Sequence, residues 1–279
     1  MPVNILYCEG VPGGPDISLL QMVLVNTCNV YPAGGKENFG PGIQMARRAV
    51  PALNICGLRD RDFDGEKPVP DGNPIPWNIT EDHNLVSLGW KWERREIENY
   101  LIDPQVVQRA FGHSFSPFPA PDPVAYTQEL NRAADQVAIY TAARTALSLS
   151  RTPARLINFF HPHDTESECR AALHRILSDY HTDLPQETRV LEKFDAILPE
   201  CQAGGNRRQH FLTFFAGKDL LMGMNNFFSR TGFKNWNAFL KAVLLGMSRA
   251  SDPVWEWLPE WQNLRQQIQL STLERGLQN

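Results

Sequence analysis

The sequence predicts an α/β fold: a parallel sheet with helices on both faces, followed by a C-terminal region that is mainly helical. Three observations predict it. Short apolar runs at Ile5–Cys8, Asn29–Pro32 and Asn54–Leu58 are separated by stretches with helical spacing. The runs read as strands buried on both sides, as the strands of a parallel sheet are. After Pro104 the alternation of strands and helices gives way to long helical patterns. A β-α-β-α-β order of this kind builds a parallel sheet covered by its own crossovers.

Taken in order, Ile5–Cys8 is the first strand and runs into Glu9-Gly10 and the turn "VPGGP". Leu19, Leu20, Val23 and Leu24 give the stretch from Pro15 to about Cys28 a helical period. Asn29–Pro32 is the second strand, ended by "PAGG". Gly42–Val50 reads as a helix with Arg47 and Arg48 on one face. Asn54–Leu58 is the third strand and leads into "RDRDFDG". Residues 66–83, rich in Pro, Gly and acids, read as a loop. Leu85–Trp92 is extended, and "REIENYLIDP" opens a helix closed by Asp103-Pro104. "GHSFSPFPAPDP" (112–123) is a Pro-rich linker. Asp122-Pro123 opens a long helix through about Leu149, Thr165–Tyr180 is amphipathic, and "FFAGKDLLMGMNNFF" and "NWNAFLKAVLLGM" are apolar helical stretches. The expected division is an α/β metal-binding domain over residues 1–103 and a helical region over 104–279.

The 279 residues carry a net charge of −4 and a pI near 6.0. A polyanion would therefore have to be met by local basic patches or by metal ions. The pairs Arg47-Arg48, Arg94-Arg95 and Arg207-Arg208 read first as solvated surface features. Five scattered cysteines with no CxxC pair argue against a disulfide framework or a zinc knuckle. No signal peptide or membrane-spanning apolar run is visible, so a cytoplasmic protein with no membrane association is expected. "HPHD" (161–164) reads as a helix N-cap with Asp164 or Thr165 capping and Glu168 nearby. Trp255, Trp257 and Trp261 read as packing residues.

Ligands of open α/β sheets bind beyond the carboxyl ends of the strands. Two expected strands end in acids. The first ends at Glu9, and the third in Asp60, Asp62 and Asp64. Residues two apart on an extended chain point to one side, so Asp60 and Asp62 are expected to face one site. Clustered carboxylates raise one another's pKa, and a cluster without His or Cys suits a hard cation such as Mg²⁺ or Mn²⁺. Glu96 and Glu98 would lie about 200° apart on a helix but on one side of an extended segment. "GGNRRQH" has no Walker pattern and reads as a turn before a helix, with Arg207 and Arg208 as nucleic-acid backbone contacts. Lys36, in "GGKEN", is a candidate phosphate contact.

The strand followed by Glu9-Gly10, the "PAGGKENF" stretch, "GLRDRDFD" and "REIENYL" occur in an order that resembles the TOPRIM fold, most closely the stand-alone OLD-like TOPRIM nucleases encoded beside ABC-type ATPases, such as PARIS-type defence effectors. The resemblance covers residues 4–103 and later rests on "AGKDLL". It implies a Mg²⁺- or Mn²⁺-dependent nuclease acting on DNA or RNA with two metal ions, an associated ABC-type ATPase and a role in antiviral defence; it also admits a homodimer. It implies that Glu9, Asp60 and Asp62 are metal ligands and catalytic acids, that Glu98 helps hold the second metal with Glu96 in support, and that Asp16 matches the acid following the first glutamate, though "VPGGP" lengthens that spacing. Lys218 matches the late lysine that steadies charge on the phosphate. Tyr7 and Tyr100 lie near the site in sequence, but no separate tyrosine-bearing cleavage domain is evident, so hydrolysis is expected rather than strand passage. The alternative expectation is a catalytically silent TOPRIM sensor or scaffold in an ATPase complex.

Overall fold

The computed structural model describes residues 2–35, 38–62, 69–81, 83–150, 161–179 and 184–271. The first apolar run forms β1 (Ile5–Cys8). The chain then enters α1 (Pro15–Val23), with Pro15 in the first turn, where an amide hydrogen would have no helical partner. α1 stops at Val23, short of Cys28, because Asn26 takes a left-handed conformation with φ 59° that a helix cannot continue through. β2 (Asn29–Pro32), α2 (Phe39–Ala49) and β3 (Ile55–Arg59) follow. β1 lies between β2 and β3, parallel to both, with Leu6 opposite Val30 on one side and Cys56 on the other.

The stretch 66–83, expected to be a loop, contains β4 (Ile75–Glu81), which pairs antiparallel with β5 (Asn84–Lys91). The sheet order is β2-β1-β3-β5-β4, so four strands are parallel and the edge strand is not. An edge is where a strand can hold Pro76. That proline and the glycines nearby masked the alternation of Ile75, Trp77 and Ile79 in the sequence.

The sheet has a core on each face. Leu6, Cys8, Cys56, Leu58 and Trp90 join α1 and the C-terminal helices in the larger one. Ile55, Leu88 and Trp77 pack against Phe39 and Ile43 of α2 in the smaller. Each such side chain stabilises the fold by about 1.5–3 kcal/mol when fully buried. The sequence thus forms the α/β architecture expected of it, with helices on both faces.

Past β5 come α3 (Glu98–Leu101), α4 (Pro104–Phe111) and the long α5 (Pro123–Leu149). Asp103 and Asp122 cap α4 and α5 by accepting from the N–H of Gln105 (2.9 Å) and Ala125 (2.8 Å). α6 (Glu166–Asp179), α7 (Leu184–Cys201), α8 (Asn206–Gln209), α9 (Phe211–Phe214), α10 (Gly217–Gly223), α11 (Asn225–Arg230), α12 (Trp236–Ser248) and α13 (Pro259–Leu270) complete the helical region. Before α6, Thr165 and Glu168 exchange a capping box and Asp164 accepts from the His161 N–H, so "HPHD" is the cap expected. α13 returns to the sheet: the N–H of Val3 donates to the Ile268 carbonyl (3.1 Å). Trp257 and Trp261 are buried core residues. No helix among the described residues is long and apolar enough to cross a membrane.

One basic pair departs from expectation. Arg94 and Arg95 are buried, not solvated. Arg94 pairs with Asp103 (2.7 Å) and Glu260 (2.6 Å) and stacks over Tyr100, tying β5 to α13. Arg95 donates to the Asp62 carbonyl (2.8 Å), the Thr145 hydroxyl (3.1 Å) and the Phe214 carbonyl. Buried guanidinium groups of this kind persist only when their donors are satisfied.

Candidate functional site

The strand order reverses between β1 and β3. α1 crosses over one face on the way to β2, and α2 over the other on the way to β3. Such a switch point opens a crevice beyond the carboxyl ends of the strands. Glu9 follows β1 and Asp60 follows β3, so both acids stand at this crevice.

Asp16 joins them despite its longer spacing. The "VPGGP" segment closes a turn in which the Gly14 N–H donates to the Val11 carbonyl (2.9 Å). That turn brings Asp16, in the first turn of α1, back over Gly10. Gly10 has φ 115°, and a Cβ there would lie 3.0 Å from Asp16 Oδ2, so glycine suits both the conformation and the contact.

Asp60 is the most electrostatically constrained member. Burial pushes its carboxyl well above the ordinary range, and the charges of Asp16, Glu96, Glu9 and Glu98 push the same way. Burial also raises Asp16 and Glu98, with Lys218 opposing in both cases. The buried Cys8 thiol is raised by burial and then by Asp16, Asp60 and Glu9. Five acids from three separate segments of the chain thus share one field.

Asp62 behaves differently. Asp60 already lies past the end of β3, and Asp62 has a left-handed φ of 53°. The period-two alternation expected to align it with Asp60 therefore does not extend through it. Its N–H donates to the Arg95 carbonyl (3.1 Å), and its carboxylate lies 4.0 Å from Arg59. Arg59 in turn lies 3.8 Å from Glu9, so it links the first and third strand ends. Sequence reasoning missed Arg59, although it stands inside "GLRDRDFD".

Glu96 and Glu98 meet because only the second is helical. Glu96 precedes α3, and both carboxylates converge on the Lys218 ammonium, at 2.9 Å and 3.1 Å. α10 delivers Lys218, and α9 just before it is anchored by Arg61 to the Thr213 carbonyl and by Arg95 to the Phe214 carbonyl. Arg144 on α5 holds the next residue, Asp219, at 2.6 Å, and burial pushes the Asp219 carboxyl up to about 6 against the pull of Arg144. These supports were not read from the sequence.

The two arginines expected to touch nucleic acid are engaged with the protein. Arg208 pairs with Asp135 (2.6 Å) and donates to Asn131, both on α5. Arg207 lies over the Phe214 ring. Lys36 and Asp64 fall outside the described residues.

Among the described residues, no three His, Cys, Asp or Glu side chains stand close enough together to hold one ion. The donors nevertheless fit a hard divalent cation in kind. Asp60 Oδ1 and Glu98 Oε2 are buried and accept no hydrogen bond from the described residues. A buried carboxylate oxygen left in that condition is costly unless a proton or a cation meets it. Oxygen-only donors suit Mg²⁺ or Mn²⁺. No protein-family model matches the chain, and no curated protein matches it.

Proposed function

We propose that this protein is a divalent-metal-dependent nuclease of the OLD-like TOPRIM type that hydrolyses phosphodiester bonds in DNA or RNA. The observation that carries the reading is Asp60: a buried carboxylate with an unpaired oxygen, at a sheet switch point, in the field of Asp16, Glu96, Glu9 and Glu98. An Mg²⁺ or Mn²⁺ ion at Asp60 would have to draw Glu9 and Asp16 inward to complete its ligands, and Glu98 with Glu96 would hold a second, with Asp62 at the rim. When bound, the ions supply activation of the attacking water and neutralisation of phosphate charge. Glu9 would accept a proton at its carboxylate, and Arg59, 3.8 Å away, would restrain that side chain. Lys218, half-exposed and paired with Glu96 and Glu98, would offer its ammonium to the phosphate once released from them.

Control by an ABC-type ATPase and a place in antiviral defence belong to the same proposal and rest on the likeness of "EIENYL" and "AGKDLL" to that group. The test is incubation of the pure protein with plasmid, single-stranded DNA and tRNA in Mg²⁺ or Mn²⁺. Asp60→Ala and Glu9→Ala are expected to lower cleavage by about 100-fold or more, since each removes an inner ligand. Cleavage that survives EDTA or both substitutions would overturn the metal assignment. Metal binding with no cleavage, alone or with the neighbouring ATPase, would favour a catalytically silent sensor.

A further inference from the structure

Lys218 is held more tightly than a surface lysine needs to be. Its backbone N–H donates to Glu96 Oε1 (2.7 Å), and its ammonium donates to Glu96 Oε2 (2.9 Å) and lies 3.1 Å from Glu98 Oε1. The seat beneath it is built. The fully buried Asn99 carboxamide accepts from the N–H groups of Glu96 (3.2 Å) and Gly217 (3.1 Å) and donates to the Phe215 carbonyl (2.8 Å). Gly217 approaches so closely that a Cβ there would lie 2.7 Å from the Asn99 nitrogen and 2.8 Å from Glu98 Cβ. Two segments distant in sequence are therefore fixed side by side, and the lysine leaves that junction pointing at two carboxylates.

An ammonium bridging two carboxylates and a divalent ion bound by the same pair are alternatives. Both need the same oxygens, and like charges exclude each other at such range. Glu98 Oε2, buried and accepting no hydrogen bond, is a donor that the ammonium leaves unused. Among the described residues, by contrast, no ammonium forms an ion pair with Asp60.

We propose that the Lys218 ammonium occupies the place of a second divalent cation, so that an ion reaches Glu96 and Glu98 only when Lys218 is displaced. The proposal rests on the metal reading above and extends it from which acids bind to the order in which they fill: the Asp60 position first, the Glu96–Glu98 position second and weakly. The long lysine stem is half-exposed, which gives it room to swing aside.

The test is Mn²⁺ binding to the full chain, followed by calorimetry and by the electron paramagnetic resonance of free Mn²⁺. The wild type is compared with Lys218→Ala, with Asp60→Asn and with Lys218→Ala combined with Glu98→Gln; circular dichroism verifies folding of each. The expected result is one ion bound by the wild type and a second that binds much more weakly. Lys218→Ala tightens only the second, by at least about tenfold, as removal of a unit charge at this range requires. Glu98→Gln abolishes the gain, and Asp60→Asn removes the first ion. The proposal is overturned if Lys218→Ala leaves the second ion weak, or tightens only the ion that Asp60→Asn removes. Absence of Mn²⁺ binding in every protein would instead sink the metal reading itself, and this proposal with it.

Discussion

Asp60 sits where burial and four acidic neighbours all oppose ionisation. A carboxyl raised in the folded state gives stability that is present below its unfolded pKa and is lost as pH rises through the folded one. In EDTA, the wild type should therefore lose stability relative to Asp60→Asn as pH rises above about 4. Urea midpoints of the two proteins across that range check it; curves that stay parallel would refute the assigned strain. Gly217 makes a second prediction. A methyl group there must displace the Asn99 backbone, so Gly217→Ala should cost about 1–3 kcal/mol and loosen Lys218 from Glu96. At this scale the acids were legible in the sequence because their type limits their chemistry. The conformation that carries Asp62 out of the strand alternation was not legible, since a left-handed aspartate leaves no periodic trace.

At the scale of elements, the segments that position the crevice divide by how local their cause is. β1, β3 and the cap of α5 follow from short runs and single residues, and the sequence shows them, whereas Asp103-Pro104, expected to close a helix, also opens α4. β4 does not, because an edge strand tolerates the proline that a buried strand would reject. The capping box of α6 is local and testable: Thr165→Ala should destabilise by about 1 kcal/mol, read as a lower urea midpoint with an unchanged slope. Arg61 and Arg95 are the opposite case. They bind the carbonyls of Thr213 and Phe214, at the far end of α9, and nothing within "RDRD" or "RREI" names those partners. Their burial was hidden because an arginine reads as surface until its acceptors are known.

For the whole molecule, one apolar core runs from Val3 to Ile268 and joins the sheet to the C-terminal helices. The composition change near Pro104 marks a change of secondary structure, not a gap in that core. A fragment ending at residue 103 would keep Leu6, Cys56 and Leu58 but lack the C-terminal helices that complete the core they belong to. We expect that fragment to show no cooperative urea transition, whereas the full chain unfolds with its two halves together. Circular dichroism of the two, side by side, decides the matter; a cooperative fragment would show that residues 1–103 fold alone.

The partnership of Glu96 with Lys218 spans 122 residues of chain. Translation covers that distance in about 6–24 s at roughly 5–20 residues per second. Through that interval a growing polypeptide already carries Glu9, Asp16, Asp60, Glu96 and Glu98 but not Lys218. The acidic crevice is completed only once Lys218 has been added, and whatever chemistry it performs must wait for that point.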